Sequence, residues 1–147
     1  MDWTPRNPDA AGAAVVLGIT GALVLPAVAS AHNATHTLKF IAVQKATVSF
    51  TKTTGANQET DVNAAGKTVG FDMIYFAATS ATSAAVNATF DVSGGFLYGT
   101  ATVSIKTGAI TNGKVTGGTG AFTGAKGTIK VKAISSKKHA VTITYSG

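Results

Sequence analysis

The sequence predicts an all-β domain closed as an antiparallel barrel, and three observations carry that reading. Apolar and polar residues alternate with period two through most of residues 37–147, the pattern of strands with one buried face. Each alternating stretch is bounded by Gly, Asn or Ser clusters, the punctuation of tight turns. Gly, Ala, Thr, Val and Ser dominate, charged residues make up only 12%, and the Glu-, Leu- and Arg-rich runs of helices are missing. A chain of 147 residues has room for one such domain.

The first element is not part of the barrel. Ala10 to Ala31 holds no charged residue, and its apolar stretch is followed by Pro26 and by Ala29-Ser30-Ala31. Small residues at those two positions are what a signal peptidase accepts, so residues 1–31 read as a signal peptide cut before His32. The expected location is therefore secreted or extracellular. A retained membrane anchor is the alternative, because 22 uncharged residues are long enough to span a bilayer. Residues 32–36 read as a flexible N-terminus. His32 and His36 lie there without a third ligand nearby, so they predict no metal site.

The barrel itself, residues 37–147, is expected to hold eight strands. They run from Thr37 to Val43, Ala46 to Thr51, Val69 to Phe76, Ala85 to Val92, Phe96 to Ile105, Ala109 to Thr116, Gly127 to Ile134 and Ala140 to Tyr145. The polar segment from Lys52 to Lys67, which carries Glu59 and Asp61, reads as a long loop with at most a short edge strand. Charged and polar residues mark the outer faces. Lys130 and Lys132 turn Ile129, Val131 and Ala133 inward; Asn87, Thr89 and Asp91 do the same for Val86, Ala88, Phe90 and Val92. The third strand is apolar on both faces, with Val69, Phe71, Met73 and Tyr75 in one row and Asp72, Ile74 and Phe76 in the other. A covered surface or a subunit contact would explain this.

Charge and cysteine usage exclude several functions. Residues 32–147 hold eleven lysines against four carboxylates, a net charge of +7, and no arginine. These lysines are scattered and not interleaved with aromatic residues, which argues against a nucleic-acid partner. With no cysteine there is no disulfide, thiol nucleophile or Cys-based metal site. No cofactor motif is present: the glycine-rich run lacks the helix and the Lys-Ser/Thr pair that phosphate binding needs.

The run Gly117-Gly118-Thr119-Gly120-Ala121-Phe122-Thr123-Gly124-Ala125-Lys126-Gly127-Thr128 resembles the glycine-rich signature of the dirigent and allene oxide cyclase barrel superfamily. Asn87-Ala88-Thr89-Phe90, then Gly94-Gly95 and the strand after them, are similar to the strand pair preceding it in short bacterial members. The resemblance spans about Gly66 to Tyr145. It implies an eight-stranded barrel with an apolar cavity open at one end, often a trimer, guiding cyclisation or coupling of hydrophobic molecules. Gly117, Gly118, Thr119, Gly120 and Gly127 are structural turn residues in that reading, and say fold rather than chemistry. The arginine of plant dirigent proteins and the cysteine of plant cyclases have no counterpart here.

The remaining candidates for chemistry are Asp72 and Tyr75. An aspartate between Phe71 and Met73 can have a raised pKa and act as an acid or base, or can be a rim carboxylate met by a lysine. Phe71, Met73, Phe90, Phe96, Tyr98 and Tyr145 are the expected ligand-binding wall. Two functions of different class follow. One is a secreted barrel that holds a hydrophobic small molecule or displays a surface at the cell envelope. The other is a dirigent-like or cyclase-like isomerase.

Overall fold

The computed structural model describes residues 34–147, so the signal segment, His32 and the cut before it lie outside the described residues. Eight strands follow one another as β1 (His36–Ser49), β2 (Thr54–Val62), β3 (Thr68–Ala78), β4 (Ser83–Val92), β5 (Gly95–Ser104), β6 (Ile110–Gly118), β7 (Lys126–Ser135) and β8 (Lys138–Ser146). Each pairs antiparallel with the next, and β8 returns to β1 to close the barrel. His36 meets Tyr145 and Val43 meets Lys138 across that closing pair. His36 is therefore a paired strand residue, where the sequence reading put it in a flexible N-terminus.

The strand count agrees with the sequence reading, but two assignments change. The two expected N-terminal strands are one long strand, β1, whose register slips between Gln44 and Ala46. Lys45 is the extra residue of that bulge. It swaps which face points inward, so a continuous strand carries two alternation phases. The expected loop from Lys52 to Lys67 instead contains β2, a full strand paired along both edges.

The barrel has two different ends. At one, the β4–β5 turn and the β6–β7 connection interlock. The Ala121 amide donates to the Gly94 carbonyl at 2.9 Å, and the Thr119 amide to the Phe96 carbonyl at 2.8 Å. The Thr119 hydroxyl accepts the Phe96 amide at 3.1 Å. A single 3₁₀ turn, Gly120–Phe122, then drops the buried Phe122 ring into the barrel as a plug. Gly95 and Gly120 have φ of 141° and 59°. A Cβ at either would meet the other turn's backbone, at the Thr119 and Gly94 carbonyl oxygens respectively. The glycine-rich run thus closes this end through Thr119 and Gly120, whereas Gly117 and Gly118 end β6 and Gly127 lies in β7, strand residues where the sequence reading expected turn residues.

Behind the plug lies the core of Phe40, Ala42, Phe90, Leu97, Ile129 and Ile143. Burial of each larger side chain contributes about 1.5–3 kcal/mol. The opposite end, formed by the β1–β2, β3–β4, β5–β6 and β7–β8 turns, stays open. There β7 overhangs the barrel, so Ala133, expected inside, is exposed along with Ile134.

Candidate functional site

A cavity of about 310 Å³ runs inward from the open end. This is at the lower end of the range for small-molecule sites, about 300–1,000 Å³. Most of its wall is apolar, including Ile74, Phe76, Val86, Phe90, Ile129 and Val141. One side is not. There Gln44, Asn57, Glu59, Asp72 and His139 line the space.

Strand pairing explains how acidic groups gather on that side. Glu59 stands opposite Asp72 across β2–β3, and Asp61 stands opposite Gly70, one step further from the mouth. Side chains two apart in a strand share a face, so Glu59 and Asp61 of β2 both turn inward beside Asp72 of β3. Gly70 leaves the room that Asp61 needs: a Cβ there would lie 3.3 Å from Asp61 Oδ2. All three carboxylates are buried, Glu59 being 5%, Asp72 3% and Asp61 0% exposed.

Among the described residues, His139 is the one basic side chain on the cavity wall beside them. Every lysine of the barrel is exposed, and none lines the cavity. The oxygens of Asp61 and Asp72 have no hydrogen-bond partner if both groups are ionised. Burial is the main reason the Asp72 carboxyl is pushed up to about 9, with the negative charges of Glu59 and Asp61 adding to it. Asp61 is raised to about 6, again chiefly by burial, and held down by its hydrogen bond with Asp72. Burial also raises Glu59, while nearby His139 pulls the other way. The aspartates therefore behave as a pair holding one proton at neutral pH, with protonated Asp72 donating to ionised Asp61. Sharing that proton engages one oxygen of each aspartate, two of the four otherwise orphaned oxygens. Among the described residues, no three His, Asp or Glu side chains converge as metal ligands.

Of the residues singled out from sequence, Asp72 and Phe90 line this cavity. Phe71, Met73, Tyr75, Phe96 and Tyr98 do not: they stand on the outer surface, Met73 being 58% exposed. The inward row of β3 is the one holding Asp72, so the flanking row must face out. Tyr145 also lies away from the cavity, at the plugged end, its ring 5.5 Å from Phe122 and stacked 5.3 Å from His36. Glu59, Asp61 and His139 are site residues that the sequence reading did not select. An all-polar stretch, Asn57 to Asp61, gives no apolar face by which to recognise a strand.

Neither a family model nor a curated protein matches the chain. Among solved structures, it is similar to a pyocyanin demethylase with a TM-score of 0.60 and 18% sequence identity. The match covers 76% of this chain and 100% of that one. At that identity the likeness shows the barrel fold.

Proposed function

We propose that this barrel holds a hydrophobic small molecule in its cavity and offers it the neutral carboxyl of Asp72, whose proton turns from Asp61 to the ligand, as a hydrogen-bond and proton donor. The observation that carries the reading is Asp72 itself: 3% exposed, without a hydrogen-bond partner when ionised, and on the cavity wall. A buried acid of this kind is costly to keep, and sites that keep one use it to donate. The likeness in fold to a pyocyanin demethylase supports a small-molecule reading. An isomerase-like role gains support from the same wall. Glu59 stands opposite Asp72 with the cavity beside both, so two carboxyls able to serve as base and acid sit side by side on one wall of any bound ligand. Dirigent-like or cyclase-like chemistry would need such a pair.

The exposed row of Phe71, Met73 and Tyr75, with Phe96 and Tyr98 nearby on β5, supports assembly with further copies of the chain, the trimer of the resemblance. Export and a place at the cell envelope belong to the same proposal.

Binding of the neutral naphthyl ketone prodan tests it. The expected result is a blue-shifted emission on 1:1 binding that is lost in Ala101→Trp, which fills the cavity. Asp72→Leu should weaken binding about fivefold to tenfold, the worth of one hydrogen bond at ~1 kcal/mol. Deuterium incorporation beside the prodan carbonyl, faster with the wild type than with Asp72→Leu, would support the isomerase-like reading. Prodan binding that is absent, or untouched by Ala101→Trp, overturns the proposal.

A further inference from the structure

Resting on the cavity-binding reading above, we infer that the natural occupant is a weak base, an apolar body carrying an amine or aromatic nitrogen that docks against Asp72 and Glu59. Those two side chains face each other on one wall, while Val86, Phe90, Ile129 and Val141 supply apolar surface elsewhere. A ligand matching that division has its polar atom at one edge only.

The sign of that atom follows from what surrounds it. Beside Asp72, β2 contributes Glu59 and Asp61, with His139 of β8 acting on Glu59 from further round the wall, whereas the inward row of its other neighbour, β4, is apolar: Val86, Ala88 and Phe90. The eleven lysines all face solvent, so the barrel is basic outside and acidic within. A ligand carboxylate, as on a fatty acid, would add negative charge to a site whose own carboxyls resist ionisation. A neutral ligand leaves His139 alone to offset the cluster, and His139 acts on Glu59 rather than on Asp72. A protonated nitrogen supplies a countercharge directly against Asp72, inside the barrel where charges attract more strongly than in bulk water.

Lys52, Lys106, Lys137 and Lys138 sit in or beside the turns around the mouth and disfavour the approach of a cation. The base therefore enters in its neutral form and is protonated inside. The N–H bond forms as the Asp72 O–H bond breaks, and the ammonium remains paired with the carboxylate so produced. No electrons are exchanged and no co-reactant is needed.

A matched set of probes decides the matter: naphthylmethylamine, naphthylmethanol and naphthoate, which share the ring and differ in charge, titrated calorimetrically at neutral pH. The amine should bind at least about tenfold tighter than the alcohol, with naphthoate weakest. Because free naphthylmethylamine is already protonated in solution, its binding should release close to one proton, read from the dependence of enthalpy on the buffer's ionisation enthalpy. The alcohol should release none. In Asp72→Asn with Glu59→Gln the preference for amine should shrink to within about threefold, though the wild-type ranking and proton count decide the question even if that variant does not fold. Equal binding of amine and alcohol, or tightest binding of naphthoate, overturns the inference while leaving the cavity reading intact. If none of the three binds, the cavity reading falls and this inference with it.

Discussion

The two ends of the barrel are built from different turn chemistry. At the plugged end, glycines let backbone approach backbone and Phe122 fills the space between the turns. At the mouth, the turns are held by short hydroxyl side chains. The Thr51 hydroxyl accepts the amides of Thr53 and Thr54, both at 3.1 Å, and Ser80, Ser104 and Ser135 make comparable bonds. Hydroxyl turns satisfy the chain locally without reaching across the barrel, so the mouth stays open. Closure and access are thus separated along the barrel axis. Stability should depend on one end, and ligand binding on the other.

The strongest challenge to that division is Gly127→Val. A Cβ at Gly127 would meet the Thr144 carbonyl oxygen on β8, which is backbone and cannot move aside. We expect a loss of more than ~4 kcal/mol and no cooperative thermal transition by circular dichroism. Phe122→Ala removes the plug and should cost about 3–5 kcal/mol in urea unfolding. If Phe122→Ala proves nearly neutral, the plugged end is not where the fold is secured.

The acidic wall gives a third, pH-dependent effect. Folding raises the pKa of Asp72 from its ordinary 3.8 to about 9, and that of Asp61 to about 6. Between 3.8 and about 9 the folded chain therefore binds more protons than the unfolded chain, and raising the pH favours unfolding. Both groups contribute up to about pH 6, and Asp72 alone beyond it. The Tm at about pH 5 should exceed that at about pH 8 by roughly 5 °C or more, with most of the difference gone in Asp72→Asn. An opposite slope would mean that the carboxylates are ionised and paired. The smallest effect belongs to the mouth: Ile134→Ser, at a residue 55% exposed, should change stability by less than about 0.5 kcal/mol.

This contrast also explains how much the sequence disclosed. The plugged end was legible because Gly94-Gly95 and the run from Gly117 to Gly127 announce unusual backbone conformations in the residue type itself. The acidic wall was not, because Glu59 and Asp61 occupy inward positions where a hydrophobic residue is expected, and a strand with a polar inner face looks like a loop. On β3, alternation revealed two apolar rows but could not say which faced in. Barrel closure decides that, through the pairing of Asp72 with both Glu59 and Phe90. Lys45 concealed β1 in a similar manner, since one extra residue breaks the period without ending the strand.

The closing pair of β1 and β8 sets one more property, the direction in which the molecule hangs. His36 and Tyr145 meet at the plugged end, so the chain enters and leaves the barrel on the side away from the cavity. A tether, fused domain or immobilising tag joined at either terminus would hold the barrel like a cup by its base. Its contents would then exchange with the surrounding fluid, not with the surface that bears it.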